Sequence, residues 1–304
     1  MQVSTNQFYN SANAMMTSLT SQADKLQSQI STGKRLQAPS DDVVAYQQLQ
    51  LIARANADDS SYAATITTAK ALLDQGDTTL TTITAQVQRA QELAIKANNE
   101  TLSANDRQSI SAELRGIVQT LAQLANTQDA RGNALFAGSQ GGAPVTVNAD
   151  GTVTINDTGQ PAAIPIADSQ SVVATETASD VFGGIPDGAS GTTDLFSVLT
   201  TFADALDTDA SPVAASSTAS DALKSALDNV ANSQASLGAR SARLTMLSSA
   251  MTDAGVARET QRSALEDTDV TTAITELQKT MTILQATQAS FTKLSSLSLF
   301  DYLK

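Results

Sequence analysis

The side chains in this sequence that could do chemistry are carboxylates, and they come in three tight groups: Asp41-Asp42, Asp58-Asp59 and Glu266-Asp267-Thr268-Asp269. Clustered carboxylates suit Ca²⁺, and a carboxylate pair can act as a glycosidase centre without histidine. Neither chemistry is supported by the surroundings. EF-hand spacing and its bidentate Glu are missing, and nothing in the pattern marks a substrate cleft. Acidic residues just ahead of a helix serve as caps and as partners of the positive helix end. Asp58-Asp59 fits a solvated helix face. Gly138-Ser-Gln-Gly-Gly142 lacks the Lys-Ser/Thr of a phosphate loop and reads as a linker. The chain has no Cys, no His and no Trp. Thiolate or imidazole metal sites and imidazole-activated nucleophiles are therefore excluded. No catalytic residue, metal or cofactor is expected, and the chain is not expected to be an enzyme.

The net charge is −13 over 304 residues. That balance argues against a phosphate backbone as partner, since Lys and Arg must replace its counterions. No stretch approaches the ~20 apolar residues of a membrane span, so no membrane insertion is expected. The first residues carry neither a basic region nor an apolar core, so no cleaved signal peptide is expected. Residues 132–223 hold 11 acidic residues and no Lys or Arg, and they concentrate Gly, Pro and β-branched residues. Two near-neutral flanks thus enclose one acidic insert.

The flanks read as long helices. Phe8, Ala12, Met15, Leu19, Ala23, Leu26 and Ile30 recur three or four apart. Gly33 follows as a left-handed C-cap, with Lys34 and Arg35 beside the last carbonyls. Ser40 is the expected N-cap of the next helix. That helix should run to about residue 98, with Leu73, Leu80, Ile83, Val87 and Ala94 on its seam and Gly76 as the point where it would break. A further helix carries Ile110, Leu114, Ile117, Leu121 and Leu124. On the C-terminal side, Leu223, Leu227, Val230, Leu237, Leu244 and Met251 follow one heptad pattern, and Val270, Ile274, Leu277, Met281, Leu284 and Phe291 follow another.

In the insert the period changes. Val145 and Val147, an Asp150-Gly151 corner, then Val153 and Ile155 spell a hairpin. Ile164, Ile166, Val172 and Val173 supply further strands. With 4% aromatics against 41% hydrophobic residues, the chain favours narrow Ala-lined seams over one thick core. A lone terminal helix with five or six large seam residues cannot offset the entropy of ordering its backbone. The chain ends therefore need each other or other subunits, and both solutions fit the pattern.

Four stretches make the chain resemble the flagellin superfamily: Gln29–Arg35 with Pro39-Ser40-Asp41-Asp42, Gln88–Ile95, Leu265–Val270, and the ending Leu297–Leu303. Gln91 stands where flagellins often carry Arg. Gly132-Asn-Ala-Leu-Phe-Ala-Gly-Ser139, Pro39 and the Ser-Leu-Phe-Asp-Tyr-Leu ending resemble the hook–filament junction branch, although Val43 replaces a Pro frequent there. The resemblance covers roughly 1–140 and 220–304.

It implies a mainly α fold with a β-rich insert: a long antiparallel helical coiled-coil bundle formed by both termini plus a small β domain. The expected divisions are an N-terminal assembly helix (1–35), an N-terminal helical rod (36–140), a variable acidic outward domain (141–212), a C-terminal rod (213–264) and a C-terminal assembly helix (265–304). It also implies a structural role in the bacterial flagellum, outside the cell, after export without a cleaved signal. The implied partners are the first hook-associated protein, flagellin, copies of the chain in a ring, and a cytoplasmic export chaperone on the C-terminal helix. The expected subunit contacts are Phe8, Met15, Leu19, Leu26, Ile30, Arg89, Leu93, Ile274, Leu277, Met281, Leu284, Phe291, Leu299 and Phe300. Filament flagellin, or a flagellin-like adhesin using the acidic insert, are the competing roles.

Overall fold

Helical periodicity becomes helix almost wherever it occurs. The computed structural model describes residues 2–301 except 140, 157–158, 188–190 and 209–211. Its elements are α1 (Gln2–Thr32), α2 (Val43–Ala97), α3 (Ala104–Ala125), β1 (Val145–Val147), β2 (Val153–Ile155), β3 (Ala163–Ala167), β4 (Gln170–Val173), α4 (Ala178–Phe182), β5 (Ile185–Pro186), β6 (Thr192–Thr193), α5 (Leu195–Asp207), α6 (Pro212–Glu266) and α7 (Val270–Asp301). The chain divides into two compact units. One combines residues 1–58 with 252–304, and the other comprises 59–251. Helices α2 and α6 contribute residues to both.

In the unit of residues 59–251, Leu73, Leu80, Ile83 and Val87 of α2 are buried, as are Leu223, Val230, Leu237 and Leu244 of α6. Helix α2 does not break at Gly76. That glycine is buried, and a Cβ placed there would lie 3.1 Å from Leu237 Cδ1, so its missing side chain lets α2 and α6 approach closely. Ser103 and Asp106 form a reciprocal capping box that starts α3. Asn126 ends α3 and bonds β1 through its side chain, donating to the Val145 carbonyl at 2.9 Å and accepting from the Val145 amide at 3.2 Å.

The expected hairpin is present, with Val145 opposite Ile155 and Val147 opposite Val153. A second hairpin pairs Ile164 with Val172, and β5 pairs with β6. The insert also contains two helices that alternation does not signal. Asp194 caps α5, accepting from the Ser197 amide at 2.9 Å, and α5 buries Leu195, Phe196, Leu199, Phe202 and Leu206. Phe182 links Phe136 and Phe196 by ring contacts at 6.2 and 5.1 Å. These residues share one apolar core with α2, α3 and α6. The buried described residues of the 141–212 segment thus pack on these helices.

In the other unit α1 pairs with α7. The covered row on α1 is Ala12, Met16, Leu19, Ala23, Leu26 and Ile30, and on α7 it is Ala273, Leu277, Thr280, Leu284, Thr287 and Phe291. Of the apolar row expected on α7, Leu277, Leu284 and Phe291 are covered, whereas Val270, Ile274 and Met281 give way to Ala273, Thr280 and Thr287 one position away or more. Small Ala273 and Thr280 face inward, 5% and 3% exposed, while Val270, Ile274 and Met281 are exposed. Close helix approach favours the smaller side chains at the seam.

The turn between α1 and α2 differs in detail from expectation. Gly33 does adopt the left-handed conformation, at φ 69°. The N-cap of α2 is Asp42, which accepts from the Ala45 amide at 3.0 Å, and not Ser40. Asp41 closes the turn by accepting from the amides of Gln37 and Ala38 and from Lys25 Nζ at 2.6 Å. These three donors hold the Asp41 carboxyl down at about 2. A carboxylate with two oxygens fills the turn better than a hydroxyl could.

Candidate assembly surface

An antiparallel pair of amphipathic helices has one covered face and one open face, and in this chain both carry apolar residues. Leu19, Leu26, Ile30, Leu277, Leu284 and Phe291 are half-buried in the seam between α1 and α7. Tyr9 meets Phe291 edge-on, with ring centroids 5.4 Å apart. Phe8, Met15, Ile274 and Met281 are exposed; Met15 is 60% exposed and Phe8 44%. Phe8 and Met15 share a groove with Ile283 and Phe291. Ile283, another exposed apolar residue, was not among the expected contacts; its distance from the expected heptad hid it. Val43, Val44 and Leu51 on α2 are exposed as well. The side chains of Leu299 and Phe300 lie outside the described residues.

Arg89 and Leu93 belong to the other unit and differ from each other. Arg89 is exposed and bonds Glu113 at 2.7 Å and Glu92 at 2.8 Å, and both carboxylates raise its pKa. Leu93 is 2% exposed and packs inside the chain's own core, which leaves it no surface for a second subunit. Gln91, beside them, is half-buried.

The carboxylate groups have structural partners. Asp269 caps α7, accepting from the amides of Thr271 and Thr272 at 3.0 and 3.2 Å. Glu266 pairs with Lys34 at 2.5 Å and with Arg262 at 2.6 Å, which lower its pKa. Lys34 and Arg35 therefore serve the opposite turn and not the last carbonyls of α1. In the acidic segment, Asp150, Asp187 and Asp194 accept backbone amides in turns and caps, and the Asp180 carboxylate accepts from the Thr177 hydroxyl at 2.6 Å. Asp204 and Asp207 both bind Arg115. Among the described residues no group of three or more metal-ligating side chains is placed to hold an ion. No described helix is long and apolar enough to cross a membrane.

Residues 3–141 match the bacterial flagellin N-terminal helical region, and residues 220–303 match the bacterial flagellin C-terminal helical region. The flagellar hook-associated protein 3 of Salmonella typhimurium is 32% identical over 99% of both chains. A flagellin of Listeria monocytogenes is 25% identical over 88% of this chain and 86% of its own. The chain belongs to the flagellin family, in its hook-associated protein 3 branch. The crystal structure of flagellar hook associated protein-3 from Legionella pneumophila has the same fold, with a TM-score of 0.65 at 17% identity over 71% of this chain and 98% of that one.

Leu135 and Phe136 of the Leu-Phe-Ala-Gly stretch are buried, and the Phe136 carbonyl accepts from the Ala178 amide at 3.0 Å. The stretch therefore works by docking the central segment onto the helices.

Proposed function

We propose that this protein is a structural subunit of the bacterial flagellum that joins the hook to the flagellin filament. The full-length relationship to a hook-associated protein 3 carries this reading. Its physical counterpart is the row of exposed apolar side chains on the paired terminal helices. Apolar rows of this kind on an assembling protein mark surfaces that other subunits cover.

In this reading Phe8, Met15, Ile274 and Met281 meet neighbouring subunits, while Leu19, Leu26, Ile30, Leu277, Leu284 and Phe291 hold α1 to α7. Copies of the chain form a ring between the first hook-associated protein and the first flagellin subunits. The chain leaves the cell without a cleaved signal, and a cytoplasmic chaperone covers the apolar row of α7 before export. Arg89 contributes a polar contact between subunits.

Immunogold labelling of isolated flagella tests the role. A single ring of label at the distal end of the hook is expected. Label along the whole filament would assign the chain to the bulk polymer instead.

A further inference from the structure

Helix α5 borders a space that the start of α6 does not fill. Val198, Phe202 and Ala205 line it from α5, and Ala215, Ala219 and Ala222 line it from α6. Phe202, Ala219 and Ala222 are buried, while Thr201 and Thr218 are exposed at the edge. Opposite Val198 and Phe202, the first turns of α6 supply nothing larger than threonine to this lining. The result is an open, mainly apolar groove of about 420 Å³. Protein interiors are packed without voids of this size, and a groove of such volume can seat several side chains of a partner.

The charge around this groove has one sign. Asp187 is the charged side chain in its described lining. Asp194, next to the lining Thr193, caps α5. Asp221 is exposed and follows Thr218 by three residues, one turn along the same flank of α6. Positive charge is kept away: residues 132–223 contain no Lys or Arg. Lys224 comes two positions after the lining Ala222, which places it about 200° round the helix. Arg115 reaches α5 from α3, but Asp204 and Asp207 both bind it.

We propose that the groove between α5 and α6 docks an amphipathic helix of a partner protein, one with an apolar row flanked by Lys or Arg. A helix laid in a groove anchors itself through apolar residues three or four positions apart. Its basic flanks then meet Asp187 and Asp221. Charge selects this occupant. A second copy of the chain, at net −13, is repelled at range, as is an anionic lipid or nucleic acid surface. A neutral apolar helix gains burial but no steering from the carboxylates. The groove lies wholly within the unit of residues 59–251, so it stands whatever the role of the terminal helices.

Fluorescence anisotropy on the full-length chain tests the proposal, with a labelled amphipathic peptide of about five helical turns built from Leu and Lys. Saturable binding of one peptide per chain is expected at low salt. Replacing every Lys of the peptide by Glu should weaken it about tenfold or more, and so should replacing every Leu by Ser. Thr218→Trp and, from the opposite wall, Thr201→Trp should fill the groove from its exposed edge and cut affinity about tenfold, with thermal melting unchanged. Asp221→Lys should weaken the Lys peptide and tighten the Glu peptide. Failure of the Lys peptide to saturate, equal binding of the Lys and Glu peptides, or undiminished binding by both Trp variants would overturn the proposal. Self-association of the chain, or binding to anionic vesicles, that both Trp variants abolish would give the groove to a different occupant and overturn it as well.

Discussion

Gly76 of α2 faces Leu237 of α6, with 3.1 Å separating Leu237 Cδ1 from the place of an added Cβ. The contact turns a residue that weakens a helix into one that tightens a helix pair. Replacing Gly76 by Val should cost about 1–3 kcal/mol through overpacking. Gly76→Ala should be nearly neutral, because a helix-propensity gain of about 1 kcal/mol offsets a small shift of the Leu237 side chain. Urea denaturation followed by circular dichroism distinguishes the two, and equal effects would mean that the seam is looser than observed.

The central segment is held by its rings far more than by its charges. Phe196→Ala should destabilise the unit by about 3–5 kcal/mol. Arg115 bridges Asp204 and Asp207 but remains half exposed, so Arg115→Ala should cost at most about 1 kcal/mol and less in high salt. A reversed order in thermal melts would show that α5 is attached through its surface.

Glu176 is mostly buried beside Arg240, whose Nη2 stands 3.0 Å from it while Nη1 donates to the carbonyls of Val173 and Thr175. Burial raises the Glu176 pKa in spite of the guanidinium. A carboxyl with a raised folded pKa binds its proton more tightly in the folded state, so its contribution to stability grows as pH falls through that value. Glu176→Gln should therefore stabilise the unit at neutral pH and flatten its stability between about pH 7 and 4. Arg240→Ala should cost roughly 3 kcal/mol at neutral pH by stranding the carboxylate, and less in acid. Denaturation midpoints across that range decide it; a wild-type profile in Glu176→Gln would refute the assignment.

The turn between α1 and α2 and the residues leading into α7 should have the opposite pH dependence. Lys25 and two amides hold Asp41 at about 2, and Lys34, Arg262 and Thr272 lower Glu266 and Asp269. Stability from depressed carboxyls is complete above their unfolded values and is lost as pH falls through the folded ones. Amide exchange near residues 33–42 and 266–272 should thus remain slow at pH 4 and accelerate toward pH 2. Acceleration already at pH 5 would contradict these pairings.

Along their described length α1 and α7 bury little, with Ala23, Ala273 and Thr280 as their buried side chains. Their amides should exchange faster than those of α3 in the dilute free chain and become protected on assembly. Met15→Asp and Met281→Asp should abolish junction formation while leaving the melting of residues 59–251 unchanged. Normal assembly in both would remove the open face from the proposed contact surface.

The long flanking helices, the hairpin of Val145–Ile155, the left-handed Gly33 and the family relationship were legible in the residues, because each depends on neighbours a few positions away. Helix α5 was legible too, in the spacing of Leu195, Leu199, Phe202 and Leu206 after Asp194, but the strand signals around it drew the insert toward an all-β reading. The tertiary structure alone decided that Ala273 and Thr280, and not Ile274 and Met281, face α1. Adjacent helical positions differ by about 100°, so two apolar rows compete, and only the partner helix selects between them. It alone also decided that Leu93 is core, that Asp42 caps α2, and that Lys34 and Arg35 reach the residues before α7. Periodicity fixes which side of a helix is apolar; pairing across 230 residues of chain depends on shape and charge that meet only when the helices pack.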